Sequence, residues 1–127
     1  MLSFIKDNMN YDIKTLVSGF YDFEQAVLDY YAFMRGEIGF KECVQTPQLC
    51  LYAVQRDGLL LEFVLEQTPE ICLAAGTQNG MSLEHVRIQS DEICLAAVTQ
   101  DGLSLWYVEY QTPAICLAAV TQDGDAL

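Results

Sequence analysis

The sequence predicts an all-α protein: a short α-solenoid of stacked helical hairpins behind an N-terminal helical cap. Three observations predict it. One phrase recurs every 22 residues, as TPQLCLYAVQRDG from Thr46, TPEICLAAGTQNG from Thr68, SDEICLAAVTQDG from Ser90 and TPAICLAAVTQDG from Thr112. Each copy opens on a hydroxyl residue, in most copies followed by proline, the pairing that suits a helix N-cap and first position. Each closes on glycine after Asp or Asn, which reads as a left-handed helix cap. Short hairpins of this kind are unstable alone and gain a core by stacking.

Residues 46–127 hold three and a half such units. Within each, Ala and Leu favour a first helix of about ten residues. A second helix is expected over Leu59–Glu66, Met81–Ile88 and Leu103–Tyr110. Its fixed members, Leu61/Leu83/Leu105 and Val64/Val86/Val108, lie three apart and point one face inward. Glu70 and Glu92 sit in first turns, where they complement the helix dipole. Gln67, Gln89 and Gln111 close the units. A leucine-rich repeat has a similar period, but the Asn that its consensus requires is missing at that offset.

Residues 1–45 form the expected cap. Residues 1–20 read as one more helix or an extended lid. Asp22 and Gln25 resemble a capping box opening a helix over Asp22–Arg35. GEIGFKECVQ (Gly36–Gln45) aligns without a gap with GLLLEFVLEQ (Gly58–Gln67), a degenerate copy. The aromatics Phe20, Tyr21, Phe23, Tyr30, Tyr31 and Phe33 are expected to seal this end as ordinary core.

The chain stops just after a first helix. The sequence therefore predicts an apolar edge at Ile115, Leu117 and Val120, suited to pairing with a second copy as a homodimer, or to a truncated end.

Charge is lopsided. Of the 127 residues, 18 are acidic and 6 basic. Residues 46–127 carry eleven Asp/Glu against Arg56 and Arg87 alone. Such a surface repels nucleic acid and anionic membrane and attracts basic partners. The opening MLSFIKDNMN interrupts its apolar run with Lys6 and Asp7, unlike a secretory leader. Five cysteines without a CxxC motif fit a reducing, cytoplasmic setting.

Cys50, Cys72, Cys94 and Cys116 occupy one column. Neighbouring helices lie about 8–10 Å apart, beyond the roughly 7 Å that a disulfide tolerates. One Cys per repeat cannot assemble a metal site, so the column reads as a small, soft filler of a tight slot. The Asp57/Asn79/Asp101/Asp123 column reads as turn and capping chemistry. His85, the single histidine, stands where Phe63 and Tyr107 stand elsewhere and has no triad partners. No catalytic residue, metal site or cofactor is expected.

Columns that stay constant serve the stack, and columns that change are free to recognise something. The changing columns cluster on the expected second helix: Glu62/Glu84/Trp106, Phe63/His85/Tyr107, Leu65/Arg87/Glu109 and Glu66/Ile88/Tyr110. Tyr52 is the outlier on the first helix. Trp106, Tyr107 and Tyr110 among Glu62, Glu66, Glu84 and Glu109, with Tyr52, form the candidate partner-binding set, since aromatic anchors in an acidic surround suit a basic protein.

The phrases TPEICLAAGTQNGMSLEHV and ICLAAVTQDGLSLWYV resemble a short two-helix repeat family of unassigned function, found in bacterial proteins, secreted effectors among them, and in proteins of large viruses. The resemblance covers Thr46–Leu127 and implies a helical repeat without established catalytic residues. In size and charge the chain is also similar to phage-borne inhibitors, including anti-CRISPR proteins, whose carboxylates stand in for phosphates. The expected function is thus a non-enzymatic interaction module that inhibits a basic, nucleic-acid-binding protein. A self-associating scaffold is the alternative, and a small enzyme the second.

Overall fold

The structure, a computed structural model, describes residues 23–124. The features expected at residues 1–22, at the Phe23 side chain and at residues 125–127 lie outside them. The chain divides into two compact units, with the boundary between Thr46 and Pro47.

The described part of the first unit holds helix α1 (Phe23–Met34) and a one-turn 3-10 helix, η1 (Phe40–Glu42). Helix α1 ends as a Schellman motif: Gly36 N–H donates to Phe33 O at 3.0 Å and Glu37 N–H to Ala32 O at 2.9 Å. Gly36 takes the left-handed φ of 76° that this ending requires. The buried Asp29 carboxylate ties α1 to the following segment, accepting from Gln25 Nε2 and from Val44 N–H, each at 2.7 Å. Phe33 meets Phe40 edge-on at 5.9 Å, while Tyr31, expected to help seal this end, is exposed. The alignment of Gly36–Gln45 with Gly58–Gln67 does not extend to geometry. Gly36 is left-handed and Gly58 is not, and η1 starts four residues after Gly36.

The second unit is all-α and periodic. Ten-residue helices α2 (Pro47–Arg56), α3 (Pro69–Gln78), α4 (Asp91–Gln100) and α5 (Pro113–Gln122) pack in a row. Six-residue 3-10 helices η2 (Gly58–Phe63), η3 (Gly80–His85) and η4 (Gly102–Tyr107) pack in a second row beside them. Thr68, Ser90 and Thr112 cap their helices as expected, each side chain accepting from the backbone N–H of the Ile three residues on.

Two expectations are corrected here. The second helix is 3-10, not α, and it stops at Phe63, His85 and Tyr107, so positions 65/66, 87/88 and 109/110 fall on a bent return segment. A 3-10 helix has three residues per turn, which puts Gly58, Leu61 and Val64 on one face, all buried. The glycines are not left-handed caps either, since neither Gly58, Gly80 nor Gly102 has positive φ. The residue before each of them does double duty. Asp57, Asn79 and Asp101 close the α-helix through their N–H, bonded to Ala53, Ala75 and Ala97, and cap the 3-10 helix through their side chains.

Glycine is required for another reason: the next repeat presses against it. A Cβ on Gly58 would sit 2.5 Å from the carbonyl oxygen of Ala75, and those on Gly80 and Gly102 would overlap the carbonyls of Ala97 and Ala119. Between the rows lies the core, built from Leu49/Ile71/Ile93/Ile115, Ala53/Ala75/Ala97/Ala119 and Leu61/Leu83/Leu105.

Candidate interaction surface

Two glutamine ladders hold the repeats in register, and the register creates the surface. On the α-helix side, Gln78 Oε1 accepts Gly58 N–H at 2.6 Å and Gln100 Oε1 accepts Gly80 N–H at 2.5 Å. Gln122 does the same for Gly102. On the return segment, Gln67 Nε2 donates to His85 O at 2.7 Å while its Oε1 accepts Arg87 N–H at 3.0 Å. Gln89 repeats this one unit on, with Tyr107 O at 2.7 Å and Glu109 N–H at 3.0 Å. Each bond spans the same sequence offset in successive units, so equivalent residues line up in columns.

The cysteines join the second ladder. The Cys72 thiol donates to Gln67 Oε1 at 3.6 Å and the Cys94 thiol to Gln89 Oε1 at 3.3 Å. Their role as small fillers therefore gains a polar component. All five cysteines, Cys43, Cys50, Cys72, Cys94 and Cys116, are free. Burial pushes the Cys72 and Cys94 thiols above their ordinary pKa, opposed at Cys72 by Arg87 and reinforced at Cys94 by Asp91 and then Glu109. Among the described residues no group of three or more His, Cys, Asp or Glu side chains converges on a metal position.

The ladder turns the changing columns outward. Trp106 is 85% exposed and Tyr110 83%. Glu62 and Glu84 on the 3-10 helices, and Glu66 and Glu109 on the return segments, are exposed as well. Tyr107 is half-buried, as is His85 in the same column. Reasoning from the sequence left out two members of this surface, Ile88 at 86% exposure and Leu65 at 74%. Both stand in columns already marked as changing, and that signal would have found them.

Neither arginine of the second unit is paired with these carboxylates. Arg87 reaches back one repeat, donating from Nη1 to Leu65 O at 2.9 Å and from Nη2 to Val64 O at 2.8 Å. Arg56 stacks over Tyr52, its guanidinium carbon 5.4 Å from the ring centroid. Tyr52 is half-buried on α2 and lies off the 3-10 row that carries Trp106.

The expected self-association edge is reduced. Ile115 is 1% exposed and belongs to the core, because its side chain follows the N-cap Thr112 into the buried column of Ile71 and Ile93. Leu117 is exposed and Val120 half-buried. On the α-helix side, a shallow cavity of about 440 Å³ lies between α2 and α3, lined by Leu51, Gln55, Glu70, Leu73, Ala74, Thr77 and Gln78.

No described helix is long and apolar enough to cross a membrane. Comparison of the chain with protein-family models, with curated proteins and with solved structures gave no match.

Proposed function

We propose that this chain is a non-enzymatic interaction module that docks a basic protein on its 3-10 face, inhibiting that protein by occupying a surface built for nucleic acid. The observation that carries the reading is the exposure of Trp106 and Tyr110 together with that of the carboxylates Glu62, Glu84 and Glu109 in the same set of repeats. Large aromatics left in water at a rigid surface are typical anchors of an interface. The surrounding carboxylates select for Lys and Arg and speed encounter. Carboxylates can stand in for the phosphates of a nucleic acid, and the chain's small size and acidic charge are the basis of the likeness to phage-borne inhibitors. Direct binding of nucleic acid is disfavoured by like charge.

Affinity co-purification of the wild-type chain and a Trp106→Ala/Tyr110→Ala variant, at low and high salt, tests it. Basic proteins captured by the wild type at low salt, released at high salt and missed by the variant support the reading. Equal capture by both chains places the interface elsewhere and overturns it.

A further inference from the structure

We propose that the 3-10 face reads an extended, polyproline-II segment of its partner carrying Arg or Lys at every third residue. This rests on the reading above and narrows it from a basic protein to a basic linear motif.

The inference comes from periodicity. The ladder bonds of Gln67 and Gln89 have identical sequence offsets, so Glu62, Glu84 and Trp106 hold equivalent places on successive rungs, as do Glu66, Ile88 and Tyr110. Packed helical elements repeat at about 8–10 Å. A polyproline-II chain turns once in three residues and rises about 9 Å in doing so. Its every third side chain therefore meets successive repeats in step. A β-strand presents side chains on one face about every 6.6 Å and falls out of step. An α-helix brings the same face round every seven residues, about 10.5 Å, longer than the rung spacing, and drifts out of step along successive rungs.

The chemistry agrees with the spacing. Glu62 and Glu84 are exposed carboxylates on adjacent rungs, and Arg87, the cation on the return segment after η3, is held on the carbonyls of Val64 and Leu65. Trp106 supplies the third rung, an indole open on its faces to a guanidinium or a proline ring. Ile88 and Tyr110 flank this track and offer apolar contact to the prolines between the basic positions. The preformed, low-entropy polyproline-II chain loses little freedom when it docks on a rigid row.

Trp106 is the single tryptophan of the chain, so its emission reports occupancy directly. The test titrates the full chain with synthetic proline-rich peptides of equal composition and about nine residues. In one, Arg occupies every third position; in another, every second. A third peptide, longer and helical, carries Arg at every seventh position. The every-third peptide is expected to bind about tenfold more tightly than the others. Glu62→Gln/Glu84→Gln is expected to erase that preference while the circular dichroism spectrum is unchanged. Equal binding of all peptides overturns the linear motif while leaving the acidic docking surface standing. Preference for the helical peptide also overturns it. If no peptide binds but a folded basic protein is captured through Trp106 and Tyr110, the motif is overturned and the broader reading survives. If neither binds, both fall.

Discussion

The side-chain carbonyl of Gln78 accepts the backbone N–H of Gly58 at 2.6 Å, across 20 positions of sequence. The same amide donates to Arg56 O at 3.3 Å. One side chain thus satisfies a donor at the start of a 3-10 helix and an acceptor at the end of the α-helix before it, both in the preceding repeat. The contact is short because Gly58 has no Cβ to hold Ala75 away. Bond and glycine are one device, and the junction between repeats is where this sequence is most constrained.

Two glycines four residues apart should respond in opposite directions. Gly80→Ala forces a Cβ into the backbone carbonyl of Ala97 and should destabilise by about 1–3 kcal/mol. Gly76 lies inside α3, and a Cβ there would meet Ala97 Cβ at an ordinary 3.7 Å. Gly76→Ala should therefore stabilise by about 0.5–1 kcal/mol through helix propensity. Denaturant midpoints of the two variants check the sign of each.

Gln89→Glu keeps the shape of the ladder rung and removes its donor. The carbonyl of Tyr107 then faces a carboxylate instead of an amide, at an expected cost of about 1–3 kcal/mol. Hydrogen exchange gives the local readout. The Glu109 amide, bonded to Gln89 Oε1, should stay protected, while the unit as a whole unfolds at lower denaturant. If the variant matches the wild type, the ladder does not hold the repeats together.

Cys43 carries a pH dependence. Burial, then the nearby Asp29 and Glu42 carboxylates, push its thiol from 9.0 up to about 11. A raised acid pKa means the folded state holds the proton more tightly than the unfolded state. The resulting support is complete below about pH 9 and is lost as pH rises through about 11. Alkylation of Cys43 should therefore be slow at neutral pH despite partial exposure, and should accelerate between these limits. Mass spectrometry of alkylated peptides across pH follows it, and fast modification at neutral pH would contradict the assignment.

Trp106 should emit as a tryptophan in water. At 85% exposure its emission is expected to be red-shifted and fully open to quenching by neutral acrylamide in the free protein. Trp106→Ala should leave the unfolding midpoint within about 0.5 kcal/mol of wild type, as for other surface changes. A blue-shifted, protected emission would show the indole already covered, and the docking surface would have to be sought elsewhere.

Much of this was legible in the sequence, for reasons that can be named. Thr68-Pro69 and Thr112-Pro113 announced helix starts because an N-cap hydroxyl and a first-turn proline are local chemistry. Leu61, Leu83 and Leu105 were readable as core because burial repeats with the unit. The 3-10 character was missed although it was written down. Gly58, Leu61 and Val64 lie strictly three apart in every copy, while the fourth place after the leucine changes from Leu65 to Arg87 to Glu109, which is a fixed period of 3.0 and not 3.6. The glycines were misread because a residue chosen for positive φ and one chosen for lack of bulk look alike in sequence, and only the packed neighbour tells Gly36 from Gly58. The role of Gln78 and Gln100 could not be read locally, since their partners are 20 positions away. On the surface, Trp106 and Tyr110 were legible as deviations from their columns. Ile115 was misplaced because its position near the chain end suggested an open edge, whereas its column, shared with Ile71 and Ile93, decided its burial.

Because every rung of both ladders joins a residue to one about a repeat away, the cassette has no privileged boundary. Excising any stretch one period long, wherever the cuts fall, rejoins a glutamine to an equivalent glycine and an equivalent carbonyl. Such a gene can lengthen or shorten by unequal crossing-over without breaking its fold. Under the proposed docking, copy number sets the reach along a partner, and the letters outside the ladders are free to drift.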